Sequence, residues 1–128
     1  MATVEQLFGD QSRFYRGNGE IGLLIKDSVL QDPALGGLDQ SSLDDGTDDK
    51  NLTVTADQIA AAIVRILHVQ TNSQEFQDDP NNRVISTSVF PGRQQLGIED
   101  TQVYDTYDFS IQVRHPSSGG NLPDPDSV

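Results

Sequence analysis

The sequence predicts an α+β fold: an antiparallel β-sheet with one main helix packed on it, in the order β-β-α-β-β, with long loops and extended termini. Three observations carry this. Residues 55–70 keep apolar side chains at helical spacing, residues 107–114 alternate apolar and polar, and the intervening segments hold the Gly, Pro, Asn and Asp clusters that interrupt regular structure. A strand with one apolar and one polar face belongs to a sheet that is wet on one side, which is the antiparallel case.

Residues 1–19 read as an N-terminal arm. Thr3 and Gln6 stand three apart, as in a capping box, and Gly9 is placed to end a short helix. Phe8, Phe14 and Tyr15 either pack down as an apolar lid or reach a neighbouring molecule, with the lid the preferred reading. Gly17-Asn18-Gly19 marks a turn, and Glu20–Lys26 follows as the first strand, with Ile21, Leu23 and Ile25 on one side. Asp32-Pro33 and Gly36-Gly37 break the chain. Residues 38–50 form a polar loop, and Leu52–Val54 reads as a short second strand.

Thr55 then caps the main helix, Thr55–Gln70, with Gln58 in the capping-box position. Asp57 in the first turn and His68 in the last complement the helix dipole. At about 100° per residue, Asp57, Gln58, Ala61, Arg65 and His68 fall in one stripe roughly 100° wide, and the rest from Ile59 to Val69 is apolar. A surface helix needs less apolar circumference than this. The helix must be covered on two sides, by its own sheet and the N-terminal arm or by another subunit. Asp78-Asp79-Pro80-Asn81-Asn82 is a turn cluster. Val84–Phe90 is the third strand, ended by Pro91-Gly92, and Val103–Arg114 is the fourth, with Tyr107, Phe109, Ile111 and Val113 on one face. The connector Pro91–Gln102 is longer than a tight hairpin requires.

A chain of 128 residues suits one domain, taken as 20–115, followed by a flexible tail over 116–128. It holds no cysteine, which removes disulfides, thiolate nucleophiles and iron–sulfur clusters. The net charge is −12, and the eight basic residues are scattered, so no nucleic-acid partner is expected. The opening residues lack a secretory leader pattern, and no apolar run approaches the roughly 20 residues that span a bilayer, so no membrane partner is expected. Asn51-Leu52-Thr53 matches a glycosylation acceptor by coincidence.

Candidate chemistry is sparse. Asp44-Asp45-Gly46-Thr47-Asp48-Asp49 invites a calcium reading but lacks the ligand spacing of an EF-hand, so a solvated acidic loop is preferred. His68 and His115 could pair as general acid and base, yet one sits at a helix end and the other beside Pro116. No nucleophile motif, dinucleotide fingerprint or phosphate loop is present. The chain is therefore expected not to be an enzyme, with no catalytic, cofactor-binding or metal-binding residues and no cofactor.

The aromatic arm (Phe8, Phe14, Tyr15), the loops Leu38–Lys50 and Pro91–Gln102, the over-apolar helix and the Pro/Gly/Ser tail resemble the small virion proteins of tailed bacteriophages, of the head-decoration and neck-or-tail accessory type. The resemblance is one of layout, and carries no functional residue over. It implies a structural subunit of a multi-copy assembly, homo-oligomeric there, with other subunits of the same assembly as partners. It also implies a virion location after assembly in the host cytoplasm. Two alternatives are an acidic inhibitor that mimics DNA and a calcium-dependent binding module. The carboxylates crowd into loops and tail rather than rigid rows, which disfavours the mimic.

Overall fold

A computed structural model of the protein describes residues 1–39, 54–98, 101–116 and 120–128. The chain opens with α1 (Val4–Phe8), whose N-terminus carries the anticipated capping box. Gln6 N–H donates to Thr3 Oγ1 at 3.1 Å, and Thr3 N–H donates to Gln6 Oε1 at 2.9 Å. Gly9 ends the helix at φ 100°, and a Cβ there would lie 2.6 Å from Val29 Cγ1. Both the backbone angle and the contact therefore call for glycine.

Next come β1 (Arg13–Gly17) and β2 (Glu20–Leu24), which pair antiparallel with Gly17 opposite Glu20. The two-residue turn between them, Asn18-Gly19, has φ of 53° and 77°. Two positive φ values are what a type I′ hairpin turn requires, and Asn-Gly is its preferred pair. A one-turn helix, α2 (Asp27–Leu30), buries Val29.

The long helix α3 (Ala56–Thr71) follows, with Thr55 and Gln58 forming a second capping box. Asn72 ends it, and Ser73 caps a short α4 (Gln74–Asp78) whose Phe76 is buried. Finally β3 (Ile85–Gln95) and β4 (Val103–Val113) pair antiparallel without a break from Ile85–Val113 to Gln95–Val103. A single 3-10 turn, Pro125–Ser127, lies near the end of the chain.

The α+β class holds, but the single four-stranded sheet does not form: the strands make two separate two-stranded sheets. The physical reason is local. Residues 13–17 are a strand, not part of a free arm, and a two-residue turn pairs them with 20–24 at much lower loop-closure cost than pairing across the helix. The chain expected as an arm up to residue 19 is thus continuous with the body through the β1–β2 hairpin. Leu52 and Thr53 of the expected second strand lie outside the described residues, and Val54 belongs to no strand.

Strand three does not stop at Pro91-Gly92 but runs through both to Gln95. The connector consequently shrinks to the seven residues between Gln95 and Val103.

The core is centred on α3. Val29, Ala62, Ile66 and Phe76 are the buried apolar side chains, and Ile66 is fully enclosed. The short helices α1, α2 and α4 lie against α3, and β3 packs on it as well. Gln70 extends from α3 to bond the carbonyls of Glu5 and Gln6, so α1 is tied to the helix by polar contacts too. Among the described residues, no helix is long and apolar enough to cross a membrane.

Candidate assembly surface

Most of the exposed large apolar side chains lie on the two hairpins. Large apolar side chains that are more than one-third exposed include Phe14, Ile21, Phe90, Tyr107 and Ile111, and none of them is on α3. On α3 Ala62 and Ile66 are buried and Ile59, Ile63, Val64, Leu67 and Val69 are half-buried, so the exposed large apolar side chains lie off the helix, most of them on strands. Scattered apolar residues at a surface are ordinary, but a contiguous patch marks a contact site.

The register shows how the β3–β4 patch is built. Residues directly opposite in an antiparallel pair project to the same side. Ile85, Thr87, Val89 and Pro91 therefore share a face with Val113, Ile111, Phe109 and Tyr107. This face is anchored to α3 at only one end. Thr87 Oγ1 lies 3.0 Å from His68 Nδ1 and 2.7 Å from Thr71 Oγ1. Asn72 Nδ2 donates to the Thr87 carbonyl at 3.2 Å. The His68 ring meets the Phe109 ring edge-on, with centroids 5.5 Å apart. Arg114 braces the same end, donating to Arg83 O at 3.2 Å, Ser86 Oγ at 3.1 Å and Gln112 Oε1 at 2.6 Å.

Beyond that anchor the ribbon carries its side chains into solvent. Tyr107 is 62% exposed and Phe90, on the opposite face beside Asp108, 63%; Ile111, opposite Thr87 at the anchored end, is itself 51% exposed. An eleven-residue strand spans about 37 Å at 3.4 Å per residue, whereas the sixteen-residue α3 spans about 24 Å. One ion pair crosses the distal part, Arg93 Nε to Asp105 Oδ1 at 3.7 Å, with both side chains mostly in water. Such a pair contributes little to stability.

The two edges of this ribbon differ. Arg114 N–H donates to Val84 O at 2.8 Å. This bond continues the register and sets its parity: even-numbered residues of β4 bond inward to β3, and odd-numbered ones aim their N–H and C=O groups outward. On β3 two of the outward groups are unavailable, since the Thr87 carbonyl is taken by Asn72 and Pro91 has no N–H to offer. Pro91 is compatible with the strand because it occupies an outward-facing site. On β4 the outward positions from Tyr107 to Val113 (Tyr107, Phe109, Ile111 and Val113) include no proline and no charge, Asp105 being the one charged outward position, and no further strand pairs with them among the described residues.

A smaller patch lies on the first hairpin, where Phe14 and Ile21 are diagonal neighbours on one face, 66% and 72% exposed. The aromatics expected to form a lid thus divide: Phe8 is half-buried, while Phe14 and Tyr15 are exposed on β1.

The candidate chemistry falls into other roles. His68 is a bonding group between α3 and the hairpin, not part of a wet stripe, and Arg65 likewise bonds the Pro33 carbonyl. His115 is near the C-terminal tail, with Nδ1 2.8 Å from the Pro116 carbonyl and Nε2 accepting from Asp124 N–H at 3.4 Å. The Asp44–Asp49 run and the Asn51–Thr53 acceptor lie outside the described residues. Among the described residues, no group of three or more His, Asp or Glu side chains is placed to hold a metal ion. A cavity of about 130 Å³ opens between Leu7, Phe76, Asn82, Val84 and Ile85, and no titratable side chain lines it.

No protein-family model, curated protein or solved structure matches this chain.

Proposed function

We propose that the protein is a non-enzymatic structural subunit of a larger multi-copy assembly, binding other protein subunits through its two hairpins. The observation that carries this reading is the anchored β3–β4 ribbon, fixed to α3 at one end and exposing Tyr107 and Ile111 on one face and Phe90 on the other. An exposed apolar ribbon with an open edge costs solubility in a free monomer and becomes favourable once a neighbour covers it. The net charge of −12 offsets that hazard by opposing indiscriminate association of free copies.

The layout shared with head-decoration and neck-or-tail accessory proteins of tailed bacteriophages supplies the setting we propose: a virion component, assembled in the host cytoplasm. Partners are protein subunits of that particle, with neither nucleic acid nor membrane among them.

Light scattering of the isolated chain and of its native complex provides the test. The expected result is a low-mass species alone and incorporation in multiple copies in the complex, with Tyr107→Ser/Ile111→Ser reducing incorporation at least tenfold. Incorporation unchanged by that double substitution would remove the hairpin from the contact.

A further inference from the structure

We propose that β4 is a site for strand addition, and that its occupant is β4 of a second copy of this chain, paired antiparallel about a two-fold axis beside Ile111. The inference rests on the assembly reading above and names one of its contacts. It follows from the parity of the ribbon. Only the odd-numbered residues of β4 present free backbone groups, so a second strand must bond to those. Pairing two copies of one strand antiparallel is isologous, so every contact made once is made twice.

Several axes satisfy the parity, and charge chooses among them. An axis beside Asp108 sets that carboxylate against its own copy, which is unfavourable across a strand pair. An axis beside Ile111 sets Asp108 opposite Arg114 of the second copy, in two symmetric opposite-charge pairs on the polar face. The same register sets Phe109 opposite Val113 and Ile111 opposite Ile111 on the apolar face. The Arg114 guanidinium is already held on that polar face by Ser86 and Gln112, so little further ordering is needed for it to meet a carboxylate. The product is a continuous four-stranded sheet, β3-β4-β4-β3, whose outer edges are the partly blocked β3 strands. That arrangement closes at two copies rather than propagating.

The test is a charge exchange read by sedimentation and by amide exchange. Wild type is expected to dimerise, with the amides of Phe109, Ile111 and Val113 becoming protected as concentration rises. Asp108→Arg and Arg114→Asp are each expected to weaken dimerisation at least tenfold. Mixing the two variants restores a dimer, because the arginine introduced at position 108 of one copy then meets the aspartate introduced at position 114 of the other, and the second charge pair is the native one. Recovery on mixing also demonstrates that both variants fold.

Self-association in which those three amides still exchange freely, or to which Asp108→Arg is indifferent, overturns the β4 pairing and leaves the assembly reading standing. A wild-type chain that stays monomeric at all concentrations overturns the pairing as well. The assembly reading is then decided by the mass of the native complex alone.

Discussion

Among the described residues Ile66 is the one large side chain wholly withdrawn from water, and it lies on α3, the helix against which the flanking elements pack. Truncating it removes buried apolar atoms from a core that, among the described residues, has four buried apolar side chains. Ile66→Ala is expected to cost about 2–5 kcal/mol, a large part of a typical stability of about 5–15 kcal/mol. Urea titration followed by circular dichroism reads this as a lowered midpoint; an unchanged midpoint would contradict the assignment of the core.

Thr87 shows the limit of reading single residues from sequence. Its alternation with Ser86 and Ser88 places it correctly on the apolar face, but nothing in the pattern indicates that its hydroxyl is shared by His68, Thr71 and Asn72. His68 is readable as a polar residue at a helix end, and its contact with a residue nineteen positions on is not. Hydrogen bonds between distant segments depend on how elements dock, and one sequence carries no record of that docking.

At the scale of elements, both capping boxes are readable because they are local: a Thr hydroxyl and a Gln amide three residues apart satisfy each other whatever surrounds them. Thr55→Ala removes one of these partners and is expected to cost about 1 kcal/mol, lowering the thermal midpoint by several degrees while leaving the spectrum at low temperature unchanged. Strand β1 escapes a pattern reading because Arg13-Phe14-Tyr15-Arg16 has no clean alternation of apolar and polar residues, although the Asn18-Gly19 turn beside it is the strongest hairpin signal in the chain. A turn of that type implies a strand on both of its flanks. Strand β3 reads as ending at Pro91 because proline removes a ladder donor in a central strand. The strand is an edge on that side, and Pro91 occupies an outward position, so the penalty does not arise. The helices α2 and α4 have single-turn lengths at which periodicity has no meaning.

At the scale of the whole molecule, charge and apolar exposure oppose each other. Each copy carries −12, so two copies repel at long range, while the contact proposed between them is apolar with two opposite-charge pairs. Salt screens the long-range term over a Debye length of about 10 Å at 0.1 M and affects the close pairs less. Self-association is therefore expected to strengthen from about 10 to about 150 mM salt, as measured by sedimentation velocity. Weakening across that range would mean that the close ion pairs dominate the contact.

The sequence by itself determined the α+β class, the position and N-terminal cap of α3, the presence of strands over 20–24, 85–90 and 103–113, and a surplus of apolar side chains. These rest on periodicity and on interactions three or four residues apart. Only the tertiary structure decided that the strands form two hairpins rather than one sheet, and that the surplus lies on the hairpins rather than the helix. The reason is cover: the short helices and one end of β3 pack against α3, and the distal β3–β4 ribbon has no partner element among the described residues.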